Sequence, residues 1–194
     1  STGASRRKRR QSPQDVMSRI EQTDLTEEQK TAVQFVTTGG DVAVLEGAAG
    51  AGKTHALKSV AEIYKEKGYR IIGTSTAWRM ANQLGDDLEI ESRATDSWLA
   101  LEKAGGEFLD ANTVLVVDEA GQLSSRQMLQ ILDAADRHSA KLVLTGDQKQ
   151  LQAVGAGPGL RLVAEQAGVV RIDTIMRQRA AWARDAVRDL SVGR

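Results

Sequence analysis

Apolar residues along this chain fall into two rhythms. Short, nearly continuous runs occupy 41–46, 69–75, 113–117, 141–145 and 169–172. Each is too brief for a helix and rich in Val, Leu or Ile, so each predicts a strand. The Thr-Val-Leu-Val-Val run at 113–117 predicts one buried on both faces. Between these runs the apolar positions recur at helical spacing, predicting helices over 13–22, 26–37, 54–67, 77–84, 95–104, 125–137, 157–166 and 180–190. Local chemistry supports several ends. Ser12 caps a helix with Pro13 at its first position, and Thr26 with Glu27 and Glu28 suits a helix start. Gly39-Gly40 and Gly68 are stops. Strands alternating with helices predict an α/β fold, a parallel sheet covered by helices on both faces. In such sheets ligands bind beyond the carboxyl ends of the strands.

The loop after the first strand carries the strongest chemical signal. Residues 47–54 read Gly-Ala-Ala-Gly-Ala-Gly-Lys-Thr, a complete G-x-x-x-x-G-K-[ST] pattern in the strand–loop–helix context it requires. Backbone N–H groups of Gly47, Ala48, Ala49, Gly50, Ala51 and Gly52 would cradle phosphate oxygens, aided by the helix start that follows. Lys53 would reach the β- and γ-phosphates of ATP, and the Thr54 hydroxyl would ligate Mg²⁺. His55, next to the loop, counts with the cofactor-binding residues by position and reads as a helix-start residue, not a catalyst. The bland alternative is a small-residue turn before a helix.

Two further strand ends are polar. The 113–117 run ends in Asp118-Glu119-Ala120-Gly121, two carboxylates suited to a divided task. Asp118 would hold the Mg²⁺ hydration shell, and Glu119 would orient the attacking water or accept its proton. The alternative is an acidic turn before the next helix. The 141–145 run ends in Gly-Asp-Gln-Lys-Gln-Leu, where Gln150 can touch both a γ-phosphate and its water.

Composition narrows the classes. The chain has 194 residues, 41% hydrophobic and 27% charged, enough for one well-cored domain. With no cysteine, disulfide frameworks and thiolate metal sites are excluded. No apolar run approaches the roughly 20 residues of a membrane helix, and no signal-peptide pattern opens the chain, which fits a cytoplasmic location. Net charge is zero but uneven. Arg6, Arg7, Lys8, Arg9 and Arg10 form one run; without them 21 basic residues face 26 acidic ones, a balance of −5. Residues 1–12 read as a basic disordered tail or linker, with contact to nucleic-acid phosphates as the sharper alternative. A negative body restricts any DNA contact to a local patch.

In order, Leu-Thr-x-x-Gln (25–29), the phosphate loop, Asp-Glu-Ala-Gly (118–121), Gly-Asp-x-x-Gln-Leu (146–151) and Arg-Gln (177–178) resemble the first motor domain of superfamily 1, RecD-like DNA helicases. Ile90-Glu91-Ser92-Arg93, Ser97-Trp98, Ser125-Arg126-Gln127-Met128, Arg177-Gln178-Arg179 and Ala181-Trp182 resemble, more narrowly, the helicase part of conjugative-transfer relaxases of the TraA/TraI kind. The resemblance spans about 25–194 and implies a RecA-like P-loop fold over 13–194. It implies that Gln29 reads adenine, that Arg177 reaches the γ-phosphate, and that residues 73–84 contact single-stranded DNA with 5′-to-3′ movement. There the chain departs from the common Gly-Lys-Ala-Ala stretch and reads Thr76-Ala77-Trp78-Arg79-Met80-Ala81. Trp78 would equally stack a base or pack, and Arg79 would meet a phosphate; Thr95, Ser97 and Trp98 are weaker candidates, since a tryptophan on a helix such as Trp98 is more often core.

Such helicases hold ATP between two RecA-like domains, and the second is expected as a partner from the parent chain. With only His55 and His138, no relaxase histidine cluster is present, so the sequence reads as a domain of a longer protein. Two rivals remain: a non-motor P-loop switch or recruitment module, which DNA would not affect, and a small-molecule kinase, which would need an arginine-rich lid.

Overall fold

The computed structural model describes residues 10–47 and 52–147 and the backbone of 169–171. Two helices, α1 (Pro13–Ile20) and α2 (Glu27–Thr38), precede β1 (Val42–Glu46). Then follow α3 (Lys53–Glu66), β2 (Arg70–Ser75), α4 (Trp78–Leu88), β3 (Glu91–Ala94), α5 (Thr95–Lys103) and β4 (Thr113–Val117). A 3₁₀ turn (Ala120–Gln122) leads to α6 (Ser125–His138), β5 (Lys141–Gly146) and β6 (Val169–Arg171). The strands form one all-parallel sheet in the order β3-β2-β4-β5-β1-β6.

Strand alternation divides the core in two. Val114 and Val116 of β4 face a cluster built from α1 to α4, with Val33, Val60, Tyr64 and Leu84. Leu115 and Val117, one residue out of phase, face α5 and α6, with Trp98, Met128 and Ile131. Both faces of the sheet are therefore dry, which is why its inner strands read as unbroken apolar runs. Two helices are started by reciprocal capping boxes: Thr26 with Gln29, and Ser124 with Gln127.

Three features depart from the sequence-based expectation. β3 was not predicted, because Glu91, Ser92 and Arg93 are polar and only Ala94 is buried; it is an edge strand paired to β2 alone among the described residues. The helix predicted over 77–84 runs on to Leu88, which stacks four residues beyond Leu84 and is buried with it. The helix continues through Gly85, Asp86 and Asp87 and ends only at Glu89, in the left-handed region at φ 55°. Finally, the body begins earlier than residue 13: Gln11 is buried, and its N–H donates to the Thr37 carbonyl at 2.9 Å. Residues 1–9, Ile172 and the helices predicted over 157–166 and 180–190 lie outside the described residues.

Candidate active site

Strand register brings the polar strand ends level. Leu45 of β1 lies beside Thr145 of β5, and Leu144 lies beside Val117 of β4, so one step further Asp118 is level with Thr145. Neighbouring strands are about 4.8 Å apart, so Asp118 stands roughly 10 Å across the sheet from the strand that delivers the phosphate loop. Backbone bonds extend the sheet past its formal ends. Gly47 N–H donates to the Gly146 carbonyl at 3.0 Å, and Asp118 N–H donates to the Thr74 carbonyl at 2.9 Å. The Thr145 hydroxyl donates to Asp118 Oδ1 at 2.9 Å, and the Ser75 hydroxyl donates to the Asp118 carbonyl at 3.1 Å. Both the main chain and one carboxylate oxygen of Asp118 are thereby fixed.

Gly47 and Gly52 bracket the glycine-rich loop; Ala48, Ala49, Gly50 and Ala51 lie outside the described residues. Gly52 caps α3 at φ 91°, a conformation open to glycine at little cost. Lys53 and Thr54 are the first residues of α3, where backbone N–H groups lack helical partners and the dipole is positive. Gln29 joins this loop to α2. Its Oε1 accepts from Thr26 N–H at 2.9 Å, and its Nε2 donates to the Gly52 carbonyl at 3.1 Å. His55 Nε2 lies 2.9 Å from Asp24 Oδ1, tying the start of α3 to the chain before α2. That hydrogen bond, with the imidazole's charge, holds the Asp24 carboxyl below its ordinary range.

Glu119 follows Asp118 in the left-handed region, at φ 50° and ψ 47°. For a glutamate this conformation costs on the order of 1 kcal/mol. Its Oε2 is buried with no hydrogen-bond partner, as are the hydroxyls of Thr76 and Ser92. Unmet buried oxygens are uncommon in folded chains, and a water or a ligand can meet them. Gln150 and Arg177 lie outside the described residues.

The candidate DNA contacts separate clearly. Trp78 is 51% exposed at the start of α4, next to an exposed Arg79. Trp98 is 1% exposed; its indole N–H donates to the Gly73 carbonyl at 2.8 Å, and its ring stacks on Phe108 at 5.2 Å. Thr95 is also buried, its hydroxyl 3.0 Å from that of Thr74 and donating to the Ser75 carbonyl at 3.2 Å. Thr95 and Trp98 are therefore core residues and not DNA contacts, while Ser97 is half-buried. Sequence reasoning passed over Ser75, Thr76 and Thr145. The available signal was a polar residue closing an apolar strand; register, which the sequence does not state, is what brings the Ser75 and Thr145 hydroxyls to Asp118.

The donor set fits a hydrated magnesium ion. Among the described residues no group of three or more His, Asp or Glu side chains gathers to enclose a metal. Mg²⁺ typically takes one or two protein ligands and fills its octahedron with water and phosphate. A cage-bound cation such as Ca²⁺ would need more oxygens than Asp118 and Thr54 provide.

The AAA domain family matches residues 24–194. A probable conjugal transfer protein TraA of Sinorhizobium fredii is 41% identical over 169 residues, covering 87% of this chain and 15% of that protein. An ATP-dependent RecD2 DNA helicase of Deinococcus radiodurans is 29% identical over 163 residues, 80% of this chain and 22% of that protein. This chain thus spans about a seventh to a fifth of the relatives' length. The crystal structure of Pif1 helicase from Candida albicans superposes with a TM-score of 0.60 at 16% identity, covering 88% of this chain and 44% of that one, a likeness of fold. No helix among the described residues is long and apolar enough to cross a membrane. The chain belongs to the AAA domain family, has a RecA-like fold, and is similar in sequence to TraA and RecD2.

Proposed function

We propose that this domain is the first motor domain of a conjugative relaxase-helicase, binding Mg·ATP and coupling its hydrolysis to 5′-to-3′ movement on single-stranded DNA in the cytoplasm. The observation that carries the reading is Asp118, pinned by Thr145 at the strand end level with the phosphate loop. Lys53, Thr54 and the loop N–H groups bind the phosphates; Thr54 and Asp118 hold the metal. Held there, Mg²⁺ would neutralise charge on the phosphates. Glu119 orients water, Gln150 and Arg177 attend the γ-phosphate, and Gln29 reads adenine with the N–H and lone pair its present bonds leave free. A second RecA-like domain of the parent protein closes the cleft, and Trp78 with Arg79 meets the DNA.

The test is binding of a fluorescent ATP analogue with Mg²⁺ to wild type and Lys53→Ala, with and without oligo(dT). Binding lost in the variant and altered by DNA supports the motor. Binding lost in the variant but indifferent to DNA favours a nucleotide switch. No binding by the wild-type chain refutes the assignment for this domain.

A further inference from the structure

α5 and α6 lie side by side on one face of the sheet. Gln127 Nε2 donates to Asp96 Oδ1 at 3.0 Å near their starts, and Arg137 Nη2 donates to Glu102 Oε1 at 3.1 Å near their ends. Start meets start and end meets end, so the two helices run parallel. Their outward sides leave a groove of about 510 Å³, with Leu99, Ala100 and Lys103 on one wall and Arg126, Gln130 and Asp133 on the other. Arg137 continues the second wall at helical spacing, and from Arg126 to Arg137 that wall is roughly 16 Å long, about three turns.

Charge in the groove is unevenly matched. Arg137 donates to Asp133 Oδ2 at 2.9 Å as well as to Glu102, so one guanidinium serves both carboxylates of the lining. Lys103 and Arg126 are exposed and have no hydrogen-bond or ion-pair partner among the described residues. The lining is therefore left positive, on a chain whose body is negative. Leu129, 60% exposed, lies three residues after Arg126 and four before Asp133, so it shares their ridge at the rim. A solvated leucine beside unpaired cations suits an amphipathic helix of the opposite charge. Nucleic-acid phosphates suit it less: Glu102 and Asp133 would repel them, and the lining offers no aromatic ring to a base.

We propose that the groove between α5 and α6 docks a partner protein that presents an acidic amphipathic helix. Apolar side chains of that helix cover Leu99, Ala100 and Leu129, and carboxylates on its flanks pair with Lys103 and Arg126. The pairs at the rim remain in water, so they select the sign of the partner and speed its arrival more than they hold it. Burial of the apolar ridge supplies the hold. None of these residues belongs to the candidate active site, and the inference does not depend on the motor reading given above.

The experiment uses a fluorescein-labelled, stapled helical peptide of about 14 residues, with leucines along one ridge and glutamates on both flanks. A second peptide carries lysine in place of every glutamate. Anisotropy is measured for wild type, for the double variant Lys103→Glu with Arg126→Glu, and for Leu129→Ser, with thermal unfolding followed in parallel. Wild type should bind the acidic peptide about tenfold tighter than the basic one, and the double variant should reverse that order. The reversal is a gain of binding, which an unfolded variant cannot give. Leu129→Ser should weaken the acidic peptide by about fivefold with Tm unchanged, because the leucine is exposed. No binding of the acidic peptide, equal binding of both peptides, or an order that the double variant leaves intact overturns the proposal. So does displacement of the acidic peptide by oligo(dT), which would make the groove a nucleic-acid surface. A wild-type dimer in sedimentation that the double variant dissolves also overturns it, because a second copy would then be the occupant.

Discussion

Trp98→Phe separates a stability role from a DNA role in one substitution. The indole N–H donates to the Gly73 carbonyl in the middle of β2, and the ring is 1% exposed against Phe108. Phenylalanine keeps the stack but removes the donor and the smaller part of the bicycle. Losing that hydrogen bond costs about 1 kcal/mol. The void left in a rigid core adds about 1.5 kcal/mol, a fraction of a full truncation. Arg93, 4.6 Å above the ring, and Arg70, at 5.9 Å, lose part of a cation–π attraction, since benzene is a poorer partner than indole. The total is about 2.5 kcal/mol, or a fall in Tm of roughly 5–10 °C for a domain of this size. Thermal unfolding by circular dichroism measures it, and oligo(dT) affinity is titrated below the transition. A Trp98→Phe chain with unchanged Tm and weakened DNA binding would refute the reasoning, because the ring would then be acting at a surface it does not reach.

Two other outcomes follow from local chemistry. Thr26→Ala removes the half of the capping box in which the threonine hydroxyl accepts from Gln29 N–H and should cost about 1 kcal/mol in urea unfolding; the Thr26 backbone N–H that holds Gln29 Oε1 remains, so nucleotide affinity should stay close to wild type. Arg19 donates from Nε and Nη2 to the Glu66 carboxylate, holding that carboxyl below its ordinary range, chiefly through the hydrogen bond. A depressed carboxyl stabilises the fold above its unfolded value of 4.5, and the benefit is lost as pH falls through the lower folded value. Arg19→Gln should therefore lower stability near neutral pH by about 0.5 kcal/mol, a figure already reduced for an exposed, screened pair, and the gap to wild type should close in acid. A gap that widens below pH 4 would contradict the assignment.

The layered α/β fold was legible because its strands are dry on both faces. Thr113–Val117 and Lys141–Gly146 are buried at every position, and such runs announce themselves without alternation. β3 was not legible, since an edge strand half covered by one neighbour leaves Glu91 and Arg93 free to be charged. At the site, the loop and the Asp118-Glu119 pair could be read because their chemistry is contiguous in sequence. Ser75 and Thr145 could not, because what they touch depends on which strands become neighbours. Trp98 carried two readings that only burial separates: the same residue type at 51% exposure, Trp78, is on the surface 20 positions earlier. Gln29 was assigned through family likeness to adenine, yet its present partners are Thr26 and Gly52, so the residue also serves as a strut between helix and loop.

The position of β1 in the sheet has a consequence for how the chain assembles during synthesis. Among the described residues its sheet partners are β5 and β6, about 100 and 125 residues downstream. β2, β3 and β4 can pair with one another as they emerge, over separations of roughly 20 to 40 residues. The strand leading into the phosphate loop must wait, bearing the entropy of a long loop closure, until residues 141–146 leave the ribosome. The segment that reads most plainly as a nucleotide site is thus among the last to gain its sheet neighbours. A nascent chain halted before β5 would hold every residue of that loop and no pocket to bind with.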